Sequence, residues 1–257
     1  MPRHARRRST SGIYHVILRG ANRQEIFHKE KDRIRFLYTL NRYRTEIGIQ
    51  VLAWCLMDNH VHLLLRENEH NLSDLMKRLG ISYASYYNWS YGTNGHLFQD
   101  RFKSEVVESY GYLVRVVRYI HMNPVKAGLS PKPEKYWWSS CANYYGLSRE
   151  SSDLLDQSIV LSYFPSEKES AQTKLKQFHE LQCDDECLRA WAGRRLTDEQ
   201  ARIEIIEVLD GVQIPQVKTL EKKERDPLIR IIKEIEGLSL RQIARILGVS
   251  VYMVSRA

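Results

Sequence analysis

Residues 51–65 read VLAWCLMDNHVHLLL: two apolar runs of strand length with Asp58-Asn59 between them. Val51 onwards is β-branched and aromatic, Asp and Asn favour a tight turn, and His60-Val61-His62-Leu63-Leu64-Leu65 resumes the apolar run, so the stretch reads as a β-hairpin. On a strand, residues two apart share a face. His60 and His62 therefore point the same way and Val61 the other.

Outward from the hairpin the pattern extends in both directions. Residues 13–18 (IYHVIL) read as a strand that Gly20 ends, and Asp32 opens an amphipathic helix with Ile34, Leu37, Tyr38 and Leu40 at helical spacing, stopped by Gly48. Beyond the hairpin, Asn71 or Ser73 caps a helix through Leu75, Leu79, Tyr83 and Tyr86, residues 102–107 form a fourth strand, and Ser109 caps a helix that Pro124 terminates near Met122. The order strand, helix, strand, strand, helix, strand is that of a ferredoxin-like split β-α-β antiparallel sheet, in the α+β class, with helices covering one face. Tyr136-Trp137-Trp138 closes that core. The rest reads as an all-α C-terminal extension: a helical connector over 149–225, with Thr197-Asp198-Glu199-Gln200 as a capping box and 218–227 as a charged linker, then a segment over 226–257.

The 257 residues carry 39 Lys+Arg and 31 Asp+Glu, a net of +8. Residues 1–148 hold 22 against 12, a net of +10, whereas 149–257 hold 17 against 19, so the first unit carries the whole basic excess. Such concentration is the footprint of a polyanion partner, above all nucleic acid. Arg3, Arg6, Arg7 and Arg8 form the densest cluster, and Gln99, Arg101 and Lys103 alternate at the entry to the fourth strand, where they can track a phosphate backbone. No apolar run approaches the ~18 residues of a membrane span, and the N-terminal arginines precede no apolar stretch of the secretory kind. Dispersed cysteines and these absences place the chain in a reducing cytoplasm.

Two imidazoles on one strand face can hold a divalent cation or can simply be satisfied beside a turn. A partner for them lies in Arg118-Tyr119-Ile120-His121-Met122-Asn123-Pro124. Tyr119 and Asn123 are four apart and so adjoin on a helix, while Leu113, Val116, Val117 and Ile120 pin that helix to the sheet. The Asn123 side-chain oxygen could be the third metal ligand while the residue also caps the helix end. Tyr112, seven residues earlier, shares roughly the same face. His121 points ~200° away from Tyr119, towards packing or DNA. No phosphate-binding G-x-x-x-x-G-K-[ST] loop is present.

The chain resembles the HUH single-tyrosine transposases, and within them the REP-associated tyrosine transposase branch. The matching residues are 16–20 (VILRG), 55–65 (CLMDNHVHLLL), 97–107 (LFQDRFKSEVV), 119–128 (YIHMNPVKAG) and 137–140 (WWSS), in order across about 10–145. The resemblance implies a catalytic domain over 1–148, with His60, His62 and Asn123 holding Mg²⁺ or Mn²⁺ and Tyr119 as nucleophile. It also implies cleavage of single-stranded DNA near hairpins through a 5′-phosphotyrosine; relatives occur as monomers and as homodimers. Lys126, by its charge, can track the phosphate backbone as Arg101 and Lys103 can. Readings from neighbouring classes are an HUH replication or mobilisation nickase and a DNA-binding regulator that no longer cuts.

Residues 238–250 (LSLRQIARILGVS) resemble a helix-turn-helix for duplex DNA: Ser239 caps the first helix, Ala244 allows close packing, Gly248 turns and Ser250 caps the second. Arg241 and Tyr252 are its candidate DNA contacts. His179, Cys183 and Cys187 repeat every four residues, a spacing that suits buried thiols or, less readily, zinc.

Overall fold

β-Branched and aliphatic residues at period two build four strands, β1 (Ile13–Arg19), β2 (Gln50–Met57), β3 (His60–Arg66) and β4 (Lys103–Val106), in one antiparallel sheet of order β2-β3-β1-β4. With α1 (Glu30–Ile47) between β1 and β2 and α2 (Leu72–Tyr91) between β3 and β4, this is the split β-α-β arrangement the sequence predicts. The computed structural model describes residues 7–68, 71–147, 152–164, 169–181, 198–209, 211–235, 238 and 240–257. Its chain forms two units, 1–187 and 188–257.

Alternation along the strands sends side chains into two separate cores. Val16, Leu18, Trp54, Leu56, Val61, Leu63 and Leu65 face α1 and α2 and meet Phe36, Leu40, Leu75, Leu79 and Tyr83. Ile13, Cys55, Met57 and Leu64 face the other way, against Leu113, Val116, Val117 and Ile120 of α3 (Tyr110–Lys126). Each such aliphatic side chain contributes about 1.5–3 kcal/mol on burial. The expected cover of helices on one face thus holds for α1 and α2, and α3 closes the opposite face. Asp32 locks the first layer: its carboxylate accepts from the backbone N–H of His28 and Lys29, capping α1, and from the Tyr86 and Tyr91 hydroxyls of α2.

The segment after α3 seals the outer edge of β2. The Leu56 N–H donates to the Trp138 carbonyl at 2.8 Å, Ser139 bridges Cys55, and the Tyr136 hydroxyl donates to the Leu56 carbonyl. Unpaired strand groups are thereby satisfied. Trp138 is partly buried against the first core, whereas Trp137 is exposed. Short helices α4 (Cys141–Tyr144) and α5 (Ser158–Leu161) follow, then α6 (Ala171–Glu180), which packs on α3.

Several expectations need correction. Pro124 lies inside α3, which runs on to Lys126: proline removes only one N–H, and the last turn closes through Ala127 N–H to the Asn123 carbonyl. The boundaries expected at 148 and 225 differ from the observed units. Residues assigned to a connector join the first unit through α5 and α6, while α7 (Asp198–Leu209) packs in the second unit with α8 (Ile214–Val217), α9 (Lys222–Glu234), α10 (Leu240–Leu247) and α11 (Val251–Arg256). The stretch 218–227, read as a linker, largely belongs to α9. Most of its charges face water, Arg225 and Asp226 pair half-buried, and Ile229 and Ile232 enter the core, so composition masked an amphipathic helix. Thr197, Ser239, Cys183 and Cys187 lie outside the described residues. Among the described residues no helix is long and apolar enough to cross a membrane.

Gly20 sets the exit from β1. A Cβ there would sit 2.2 Å from the Gln24 carbonyl oxygen, whereas at Gly80, inside α2, a Cβ meets nothing within 4 Å. Gly20→Ala is expected to lower unfolding free energy by about 3 kcal/mol and Gly80→Ala to raise it by ~0.5–1 kcal/mol, measured by urea titration.

Candidate active site

Antiparallel pairing of β1 with β3 puts Ile17 opposite His62 and Arg19 opposite His60, and β4 puts Glu105 opposite His15. His15, Arg19, His60, His62 and Glu105 consequently share the face that α3 crosses. Nε2 of His15 lies 3.0 Å from Nδ1 of His62, and the rings of His60 and His62 stand 4.9 Å apart. Tyr119 descends onto them from α3: its ring centroid is 5.6 Å from that of His62 and 5.7 Å from that of His15. Lys126, one turn beyond Asn123, holds Nζ 5.7 Å from the Tyr119 ring centroid.

The outer nitrogens of the two strand histidines are engaged, which orients the inner ones. Nδ1 of His60 meets Asn59 Oδ1 at 2.6 Å, and an amide oxygen only accepts, so Nδ1 carries the proton and Nε2 keeps its lone pair. Nδ1 of His62 is held by His15. Behind His15, Glu105 Oε2 lies 4.0 Å from Nδ1, and both atoms are buried. That is the outer-shell pattern of a metal-binding histidine, backed by an acceptor and then a carboxylate. Asn123 donates its amide N–H to the Tyr119 carbonyl at 2.7 Å, which leaves Oδ1 as the end that can act as a ligand. Two neutral imidazoles side by side on one strand, completed by oxygen donors, suit a divalent cation such as Mg²⁺ or Mn²⁺.

Burial keeps these imidazoles neutral. Desolvation lowers His15 to about 3, and desolvation followed by the Arg19 charge lowers His60 to about 4. His62 falls well below the ordinary histidine value, from burial first and then from His60, His15 and Arg19. Arg19 itself is lowered by burial and by Arg23, and the Tyr119 phenol works in the opposite sense. The guanidinium thus belongs to the same cluster.

His60, His62 and Tyr119 come together as the sequence suggests. Arg7, Arg8, Arg101 and Lys103 are exposed, and Arg3 and Arg6 lie outside the described residues. Tyr112 sits about two turns away along α3, with Arg115 over its ring. His121, read as facing packing or DNA, is fully buried and faces α6. His15 and Arg19 were missed. Their signal was present, since 15, 17 and 19 alternate on β1 and the split β-α-β order makes β1 the neighbour of β3. In the second unit, Gly248 takes φ +66° and Ser250 accepts from Met253 N–H, so α10 and α11 meet across a tight turn; Arg241 and Tyr252 are exposed.

Residues 8–123 match the sequence profile of the family described as Transposase IS200 like, a span that includes both strand histidines, Tyr119 and Asn123. Over those residues the chain is similar to the IS200-like transposases. Among solved structures, a REP-associated tyrosine transposase bound to a REP hairpin is similar at 17% identity and a TM-score of 0.48, over 58% of this chain and 89% of that one. A second, assigned as a transposase from Deinococcus radiodurans, is similar at 21% identity and a TM-score of 0.34, over 46% and 95%. A comparison with curated proteins finds no match. The family match ends at Asn123, one turn after the tyrosine.

The depressed histidine values carry a stability consequence. A folded-state pKa below the unfolded ~6.5 favours the neutral form, so the contribution is complete above that value and is lost as pH falls towards 3–4. Without added metal, stability to urea is expected to fall steadily from pH 7 to pH 5. His15→Asn should flatten that slope by on the order of 2 kcal/mol at pH 5.

Proposed function

We propose that this transposase domain is a metal-dependent single-stranded DNA endonuclease and strand transferase of the REP-associated kind, cutting near hairpins through a 5′-phosphotyrosine. One observation carries the reading: the Tyr119 ring packs 5.6 Å from the ring of His62, which adjoins His60 on the same strand face. An attacking phenol and a paired-imidazole ligand set then address the same phosphodiester.

His60, His62 and Asn123 would hold Mg²⁺ or Mn²⁺. When bound, such a cation neutralises charge on the scissile phosphate and polarises it. The Tyr119 oxygen attacks phosphorus, the bond from phosphorus to the 3′-oxygen breaks, the phenol proton leaves and the departing 3′-oxygen gains one. The phosphotyrosine retains the energy of the broken ester, so attack by a 3′-hydroxyl reverses the step and rejoins strands without ATP. His15 positions His62, with Glu105 behind it, and neutral histidines suit ligation. Arg19 and Lys126 flank Tyr119 and would grip the phosphates on either side. Arg3, Arg6, Arg7, Arg8, Arg101 and Lys103 would extend that grip along the strand. The helix pair α10–α11 would present Arg241 and Tyr252 to duplex DNA, biasing where the enzyme acts. Cytoplasmic action on DNA, as a monomer or homodimer, completes the reading.

The test is a denaturant-resistant protein–DNA adduct on hairpin-bearing single-stranded oligonucleotides with Mn²⁺ or Mg²⁺. Tyr119→Phe should cut adduct formation by at least ~10³-fold, and His60→Ala should abolish it with folding intact. Loss in Tyr112→Phe but not in Tyr119→Phe would move the nucleophile. No adduct on any hairpin substrate would favour the non-cutting regulator. Separately, Lys126→Gln should weaken single-strand binding and reduce the salt slope of log K by about 0.7, read by fluorescence anisotropy.

A further inference from the structure

We propose that His121, Cys141 and His179 form a second metal site, distinct from the His60–His62 pair, that takes a borderline-soft divalent cation of the zinc class. The three come from α3, α4 and α6, all are buried, and their donor atoms lie within 4.8 Å of one another. Nδ1 of His121 and Nε2 of His179 face each other at 2.9 Å.

The hydrogen bonds around the cluster leave its inner atoms as donors of electron pairs. Nδ1 of His179 meets the Leu175 carbonyl at 2.7 Å, so Nδ1 carries that ring's proton and Nε2 presents a lone pair inwards. Nε2 of His121 meets Ser140 Oγ at 2.9 Å. That hydroxyl accepts from the Trp54 N–H at 3.0 Å and lies 3.2 Å from the Trp54 carbonyl, to which it can donate. With Ser140 donating to the carbonyl, Nε2 of His121 is the protonated nitrogen and both inner nitrogens carry lone pairs. Two lone pairs at that distance need a cation between them: a metal ion in this arrangement, or the ring proton if Ser140 instead donates to Nε2 of His121. Each imidazole then has its outer N–H on an oxygen acceptor, as metal-bound histidines do. A pure hydrogen-bond relay would need only the two rings and the serine. The Cys141 thiol adds a third, softer donor, and an N₂S set selects zinc over Mg²⁺ or Mn²⁺. Donors of a tetrahedral zinc lie roughly 3.2–3.8 Å apart, so sub-ångström adjustments close the site.

The position gives such an ion a structural task. Helix α6 has 10 residues, of which only Leu175 and His179 are buried, and a helix of that length has little stability alone. Its other ties to α3 are the Arg118 guanidinium, which donates to the Phe178 carbonyl and lies 4.0 Å from the Phe178 ring centroid. Arg118, Tyr119, Lys126, Lys176 and His179 line one cavity of about 320 Å³ beside the tyrosine. A metal staple at His179 would hold one wall of that cavity.

The test uses full-length protein purified without chelator. Elemental analysis should find one zinc-class ion per chain in the wild type and in His60→Ala. Replacement by Co²⁺ should produce a thiolate-to-cobalt charge-transfer band in the near ultraviolet, kept in His60→Ala and lost in Cys141→Ser. His179→Gln, which leaves the thiol in place, should weaken zinc retention by at least ~100-fold and shift the visible cobalt bands. Far-ultraviolet circular dichroism checks each variant's fold, and the wild-type spectrum decides even if a variant misfolds. A wild type lacking the band, or a band that survives in folded Cys141→Ser, overturns the proposal. Failure of the DNA-adduct assay leaves it standing, because none of these readouts depends on cleavage.

Discussion

The β1–β3 ladder is the constraint on which the rest hangs. Its register sets Ile17 against His62 and Arg19 against His60, and because the side-chain period is two, a slip by one residue would turn the histidines into the opposite core. Such a slip would also bring Val61, Leu63 and Leu65 out of the apolar layer they fill against α1 and α2. Hydrophobic burial on one face therefore enforces the placement of polar groups on the other. Site geometry is held by core packing at second hand.

The second core does the complementary work. Leu113, Val116, Val117 and Ile120 are fully buried or nearly so along one side of α3, and they fix the rotation of the helix about its axis. Tyr119 lies at the edge of that stripe and is carried over the strand histidines, while His121 is carried away from them towards α6. One helix thus serves two polar clusters, separated by its own apolar face. Both clusters are dry, which keeps their imidazoles neutral and able to ligate.

Much of this was legible in residue order. Strand alternation, the Asp58-Asn59 turn and helical spacing in 30–47 and 110–122 determine the element sequence, and the split β-α-β topology follows with few alternatives. The pairing of His60 with His62 follows from the strand period alone. Helix ends were less legible: Pro124 was expected to stop α3, but a proline in the last turn forfeits only one backbone bond. The charged stretch 218–227 concealed a helix because its apolar positions, Ile229 and Ile232, fall after the densest charges.

By itself the sequence determined which residues form strands, which face each strand residue takes, and that a phenol and an amide adjoin on one helix. All of these depend on contacts between residues a few positions apart, governed by fixed backbone periods. Tertiary structure alone decided that His15 backs His62 across 47 positions and that His121 meets His179 across 58. It also decided that residues 158–180 join the first unit. Those pairings arise from how two apolar layers close on one sheet, and no local period encodes them.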